Sequence, residues 1–385
     1  MEALTLESPA VHRRPKLGPV AYGTWSGGRF MHFGELLTEA HYCECLQLAY
    51  DCGIRTFVTA DVYGKGQADS LLGRALKGIP RETYQLVGAI GHDFYHGVRK
   101  GNTGYPRFTD PELRDPADYE DFVFMACERS LERCGTDHFD LLLLHNPDER
   151  GYTSRCVWEG LSELRNQGFT RQLGIAPGPA NGFTLDLIHC YENFGSEIDW
   201  AMLILNPLEP WPVGLGLESA VQHGVKVMTR VLDHGGVFND DLKPGHVFRQ
   251  GDHRCYRPDG WVERGCASLE KIRPMAEKHR LSLLQYAAAW NLSHPAVECV
   301  IPTFIQESGP DARSIEEKIA SLAPLTDVRL SPEEVAAVRR LGDNTGCMPL
   351  KGASARHAKS ERCDEWPMRP ELVEIGERLG HQLDW

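Results

Sequence analysis

The sequence predicts a (β/α)8 barrel, an α/β fold in which eight parallel strands are ringed by helices. Three observations point to it. Eight short apolar runs recur between about residues 18 and 340. Each is continuous rather than alternating, as expected of strands buried on both faces in a parallel sheet. The segments between them carry apolar residues at helical spacing, so strand and helix alternate along the chain.

In chain order, Val20-Ala21-Tyr22-Gly23-Thr24-Trp25 reads as the first strand with a glycine-bearing exit. Thr38 to Cys52 reads as an amphipathic helix that stops at Gly53, since glycine accepts the left-handed conformation that closes a helix. Gly53 to Val58 is a second strand, with Tyr63-Gly64 in the loop beyond it. Tyr84 to Ile90 and Phe139 to His145 are the third and fourth strands. Leu173 to Ala176, Trp200 to Leu205, Val225 to Arg230 and Val297 to Pro302 complete the eight. Val157 to Asn166 and Phe183 to Tyr191 are helices among them.

Two long irregular segments interrupt this pattern. His92 to about Asp118 holds Phe94, Tyr95, His96, Tyr105 and Phe108; Asp233 to about Trp261 holds His234, His246, His253 and Tyr256. Loops of this length in a compact fold are functional lids or binding loops, or else disordered. Their aromatic and histidine content favours ordered loops over the barrel mouth, where strands end and functional residues gather. One barrel is expected over residues 1–385, with an extension from about 342 to 385 that wraps the exterior or reaches the mouth.

The 385 residues are 42% hydrophobic and carry a net charge of −13. That charge excludes a nucleic acid or an anionic membrane as partner, because neutralising phosphates needs a basic surface. No run approaches the ~20 apolar residues of a membrane span. Met1 to Thr5 has no basic, apolar leader, so a cytoplasmic location is expected, with a small molecule as substrate. Twelve cysteines include no Cys-x-x-Cys pair, so the thiolate pairs of a zinc ribbon or iron-sulfur cluster are missing. Reduced, mostly buried thiols are expected instead.

Four motifs carry a family resemblance. Thr59-Ala60-Asp61-Val62-Tyr63-Gly64 is followed by Leu71-Leu72-Gly73-Arg74-Ala75-Leu76. Asp140 to His145 ends a strand in histidine, and Gly346-Cys347-Met348 with Leu350-Lys351-Gly352-Ala353 lies near the C-terminus. In this order and spacing the chain resembles the aldo-keto reductases from about Val20 to Ala337. The resemblance implies carbonyl reduction by a nicotinamide hydride. A tyrosine gives the proton, a lysine lowers its pKa, an aspartate pairs with the lysine, and a histidine orients the carbonyl.

Carried over by position, the tyrosine is Tyr63 and the histidine His145, while Val58 stands at the aspartate and Ile90 at the lysine. Losing both charges together is physically coherent, since removing one partner of a buried pair costs about 3–5 kcal/mol whereas an apolar pair of similar volume can be neutral. The implied nicotinamide contacts change as well. Ala176-Pro177 replaces Ser-Asn, Met202 a glutamine, Arg230 the stacking tyrosine and Thr303 the glycine of the phosphate turn; Asn206 is retained. Arg313 and Ser314 could meet a phosphate but adjoin Glu316 and Glu317.

These replacements lead to the expectation that no nicotinamide cofactor is used. The expected activity is acid–base chemistry (elimination, hydration or isomerisation) on a small polar carbonyl, sugar-like or natural-product substrate. An NADP-dependent reductase or sugar dehydrogenase is the alternative, and a non-catalytic binding protein on the same fold the second alternative. The expected catalytic set is Tyr63, His145, His92 and Asp61. Tyr63 is expected to be a hydrogen-bond donor with a pKa near about 10, and His145 an acid or base titrating near neutrality. Trp25, Asn206, Arg230, Asp233 and His234 are the expected substrate-binding set, with Arg230 meeting a carboxylate, a phosphate or an enolate. Imidazole and carboxylate also suit zinc or manganese, and His92, His145, Asp233 and His234 are the ligand set for a divalent metal; no short ligand motif joins them. The oligomeric state is not legible.

Overall fold

A computed structural model describes residues 16–100, 104–178, 181–309, 311–323, 325, 328–345, 350–351 and 366–381. Eight strands, β1 (Ala21–Gly23), β2 (Thr56–Val58), β3 (Gln85–Ile90), β4 (Leu141–His145), β5 (Leu173–Ala176), β6 (Trp200–Ile204), β7 (Lys226–Arg230) and β8 (Val297–Ile301), pair in parallel in sequence order. A parallel bridge from Val20 to Val300 brings the first strand back to the last, closing the barrel. Around it run α1 (Glu39–Asp51), α2 (Gln67–Ala75), α3 (Tyr119–Cys134), α4 (Glu149–Thr153), α5 (Arg155–Asn166), α6 (Thr184–Phe194), α7 (Val213–His223), α8 (Trp261–Lys278), α9 (Leu283–Leu292), α10 (Ile315–Leu322), α11 (Pro332–Leu341) and α12 (Pro370–Arg378). Among the described residues no helix is long and apolar enough to cross a membrane.

Local chemistry sets the helix ends. The Thr38 hydroxyl accepts the His41 N–H and so caps α1, satisfying one of the donors a helix start leaves over. Gly53 follows the helix at φ 103°, a conformation that suits a residue without Cβ. Ser282 and Ser314 form capping boxes with Gln285 and Glu317 at the starts of α9 and α10.

Strand alternation sorts the core into two layers. Ala21, Val58, Val87, Ala89, Leu141, Leu143, Trp200, Met202, Met228 and Cys299 form one apolar cluster inside the barrel. Phe57, Leu86, Ile90, Leu142 and Leu144, their sequence neighbours, pack outward against the helices. This corrects one expectation. Val58 faces the interior, where the family's aspartate is expected, but Ile90 belongs to the outer layer. Because successive strand residues face opposite sides, the interior residues of β3 are Val87, paired with Val58, and Ala89, the neighbour of Ile90. The replaced pair is therefore apolar and small.

The loops above the strands are tied together. The N–H groups of Gly27 and Glu35, after β1, donate to the carbonyls of Phe304 and Gln306, after β8, at 3.0 and 2.8 Å. Gly34 N–H donates to Asp252 Oδ2 at 2.9 Å, and His253 N–H to the His32 carbonyl at 2.8 Å. In the loop after β3, the Asp93 carboxylate accepts the Tyr95 and His96 N–H groups and pairs with Arg114. Toward the C-terminus, Trp366 donates to Asp186 Oδ1 at 2.9 Å, and α12 packs on α6. The described part of the extension thus lies on the barrel exterior; Gly346-Cys347-Met348 and Gly352-Ala353 lie outside the described residues.

Candidate active site

Extending the inward register of β4 and β7 by one step brings His145 and Arg230 to the mouth, two residues beyond Leu143 and Met228. Tyr63 reaches the same place from the loop after β2. All three line a cavity of about 550 Å3 together with Trp25, His92, Asn146 and Met202. The Tyr63 and His145 rings meet edge to face, 5.8 Å between centres and 89° apart. Trp25 stands edge-on to Tyr63 at 6.5 Å, and His92 to His145 at 5.2 Å. Gly23 makes this wall possible: a Cβ there would lie 2.4 Å from the Trp25 ring.

Electrostatics then fix the protonation states. Burial, followed by the charges of Arg230 and Arg107, pushes the His145 pKa down to about 3. His145 is neutral at physiological pH and cannot act as the near-neutral acid or base expected of it. His92 is also held well below its usual range, by burial and then by Arg107, whose Nη1 stands 3.0 Å from His92 Nδ1. Burial raises the Tyr63 pKa, and Arg230 pulls it back down. Burial lowers the pKa of Arg230 itself, but an arginine starts so high that it stays charged. Its Nη2 donates to the Pro177 carbonyl at 2.9 Å, while its buried Nε has no partner.

Four expected residues are not brought to this cavity. Asp61 is fully buried with neither carboxylate oxygen hydrogen-bonded. Burial and then Asp69 raise its pKa well above the usual range, so it is a buried carboxyl behind Tyr63 rather than a catalytic base. Asn206 spends its amide on its own loop. Its Nδ2 donates to Glu209 Oε2 at 2.7 Å and to the Val231 carbonyl at 3.0 Å, and its Oδ1 accepts Leu208 N–H at 3.0 Å. Asp233 accepts the Thr303 N–H at 2.8 Å and anchors the turn after β8 to the loop after β7. His234 Nδ1 stands 3.1 Å from Glu209 Oε2. Consequently His92, His145, Asp233 and His234 do not converge on one ion, and the expected metal set is dispersed.

Other lining residues escaped the sequence reading. Asn146 follows His145 at φ 46°, and its Nδ2 lies 3.2 Å from His92 Nε2. Behind this lining, Arg107 comes from the loop after β3 and stands beside His92. At the far end of the cavity, Arg254 and Arg257 come from the loop after β7. The only sequence signal for Asn146 is its place directly after a strand-end histidine. The arginines sit in irregular segments whose path is set by tertiary bonds.

Comparison with known proteins bears on the chemistry. The chain is 24% identical over 362 residues to the versiconal hemiacetal acetate reductase of Aspergillus parasiticus, covering 83% of this chain and 90% of that one. Its fold is similar to that of a glycerol dehydrogenase from Gluconobacter oxydans, with TM-score 0.65, 22% identity and coverage of 84% and 91%. It is also similar to an aldo/keto reductase from Klebsiella pneumoniae solved with NADP and acetate, with TM-score 0.57, 21% identity and the same coverage, 84% and 91%. These relatives, named for reduction and dehydrogenation, overturn the expectation of elimination, hydration or isomerisation. The NADP-bound neighbour likewise overturns the expectation that no nicotinamide cofactor is used. Neutral His145 and enclosed Asp61 agree, since neither supplies the acid–base pair such chemistry needs. The family description "Aldo/keto reductase family" matches residues 19–343, and the chain belongs to that family.

Proposed function

We propose that this protein is an NADP(H)-dependent oxidoreductase that interconverts a small polar carbonyl compound and its alcohol. The observation that carries the reading is the grouping of Tyr63, His145 and Arg230 on one cavity at the barrel mouth. Tyr63 is the proton donor. His145, neutral, donates a hydrogen bond to the carbonyl oxygen and orients it. Arg230 supplies, from β7, the positive charge that the family's lysine supplies from β3. With Val58 and Ala89 apolar, a cation at the old position would lack its counter-ion and be costly to bury. Moving the charge to Arg230 keeps its field on Tyr63.

The mouth fits a nicotinamide dinucleotide with an altered grip. A guanidinium is planar and stacks on aromatic faces, so Arg230 can cover a nicotinamide ring where the family has a tyrosine. Its unpartnered Nε is a donor in want of an oxygen. In the turn after β8, however, Thr303 N–H is held by Asp233 and Phe304 N–H by Ser26. Those amides would not hold a diphosphate; Arg257, which lines the cavity and is partly exposed beside Glu209, would supply positive charge. When bound, the cofactor supplies the hydride that the carbonyl carbon receives. Tyr63 gives its hydroxyl proton to the carbonyl oxygen, producing the alcohol, and regains a proton from solvent. In the reverse direction the Tyr63 phenolate takes the alcohol proton. The apolar walls of Trp25 and Met202 exclude water from the reacting carbon.

Titration of the purified protein with NADPH and NADH, followed by fluorescence and thermal shift, tests the reading. Saturable binding is expected, with a stabilisation of about 2.7 kcal/mol at a hundredfold excess over Kd. Absence of saturable binding by either nucleotide overturns it.

A further inference from the structure

We propose that His41, Cys45 and Glu316 form a binding site for a divalent transition metal, zinc by donor type, at the seam where the first and last βα units meet. His41 and Cys45 are four residues apart on α1, and so share one of its faces. Glu316 lies in the first turn of α10, which packs on α1. The ligand atoms of the three all lie within 4.8 Å of one another, and His41 Nε2 is 2.5 Å from Glu316 Oε1. Nitrogen, sulfur and oxygen donors in this number suit tetrahedral zinc with one position open to water. Glu317, the neighbouring carboxylate, is engaged in the capping box with Ser314, whereas Glu316 turns to His41 across the cleft.

A second, independent observation lies beneath the cluster. Tyr22, on β1, is 0% exposed, yet its hydroxyl has no hydrogen-bond partner. Tyr22 packs in the same outer core layer as Tyr42 and Cys45 of α1, and after burial the groups that raise its pKa are Cys45, Tyr42 and Glu316. A metal-bound water, or the metal's carboxylate ligand, would satisfy this hydroxyl. Without a metal, burial keeps the Cys45 thiol protonated, its pKa pushed up to about 12, so the sulfur is inert. Binding the ion exchanges the S–H bond for a metal–sulfur bond and releases that proton to solvent. Because β1 and β8 close the barrel, an ion bridging α1 and α10 would fasten the barrel's first and last βα units. The site lies in the outer helix layer, apart from Tyr63 and His145, and is independent of the reductase reading.

The test uses the full chain, stripped of metal by chelator and titrated with Co2+ and then with Zn2+ in competition. One Co2+ per chain is expected, with the near-ultraviolet thiolate charge-transfer band and the intense visible bands of a tetrahedral site. Zn2+ should displace it, raise the melting temperature and release protons. Cys45→Ala should abolish the charge-transfer band. Because Cys45 is buried and its truncation opens a cavity in the core, two variants at more exposed positions complete the test: His41→Ala and Glu316→Gln should each weaken binding at least tenfold while the apo proteins melt as the parent does. Tyr63→Phe should leave the titration unchanged. Absence of a thiolate band in the parent, or affinity unchanged in both His41→Ala and Glu316→Gln, would overturn the proposal.

Discussion

Tyr63 experiences two opposed effects, burial raising its pKa and Arg230 lowering it, and the proposed reaction depends on their balance. Reduction uses the protonated phenol, so its rate holds below the Tyr63 pKa and falls above it. Oxidation uses the phenolate and follows the opposite limb. Removing the guanidinium leaves burial unopposed. Arg230→Met should therefore move the alkaline limb of the reduction profile to higher pH and slow oxidation at a given pH. Arg230→Lys, which keeps the charge, should hold the limb nearer its original place. Tyr63→Phe should cut turnover by about 10²–10⁴ with the NADPH-induced thermal shift retained. Steady-state rates across pH in both directions check this, and a limb that ignores Arg230→Met would remove Arg230 from the lysine's role. No limb from His145 is expected near pH 6–7, since its pKa lies at about 3.

At the level of elements, what was legible followed from strand periodicity, and what was not depended on the course of the loops. The eight strands could be read because a parallel sheet buries both faces and writes continuous apolar runs. Tyr63, His145 and Arg230 could be placed because strand ends define the mouth. Ile90 was misplaced because alignment by residue type carries no sign for inward or outward. A shift of one residue reverses the face, and the structure puts Ala89 inside. Asn206 and His234 were misassigned because a loop residue's direction depends on its bonds, here to Glu209 and to backbone. Gly23 shows how one strand residue shapes the site. A Cβ at this position would meet the Trp25 ring at 2.4 Å, and Trp25 is the wall beside Tyr63. Gly23→Ala should raise KM for the carbonyl substrate and destabilise by about 1–3 kcal/mol, the usual cost of overpacking. Combining it with Trp25→Ala should recover most of that loss, because the clash has then gone. Urea unfolding of the four proteins measures this; a penalty that persists without the indole would place the strain elsewhere.

Across the whole molecule, one buried guanidinium joins the loops of three βα units over the cavity. Arg254 Nε and Nη2 reach the Asp252 carboxylate at 3.0 and 2.8 Å. Nη2 also reaches Glu307, after β8, at 3.0 Å, and Nη1 the Gly235 carbonyl at 3.1 Å. Asp252 in turn accepts Gly34 N–H from the loop after β1. Arg254, Asp252 and Glu307 side chains are only 1–2% exposed, so this differs from a surface ion pair, which contributes little. Arg254→Met leaves two buried carboxylates without their counter-ion, at a cost of about 3–5 kcal/mol at neutral pH. The sign with pH follows from the Asp252 pKa. Burial raises it, but bonding to Arg254 brings it below the usual carboxylate value in the native protein. That contribution is therefore full above the unfolded pKa of about 3.9 and lost as pH falls through the folded value. In the variant Asp252 loses the cation that holds its pKa down, so its folded pKa rises and its contribution to stability shrinks as pH increases. The gap between parent and Arg254→Met should thus narrow from pH 7 toward pH 4. Urea unfolding at several pH values checks it. Hydrogen exchange should show the segments around Gly34, Arg254 and Glu307 opening first while β3 to β6 stay protected. A gap that does not change with pH, or exchange that spreads evenly through the barrel, would mean that this triad does not hold the mouth.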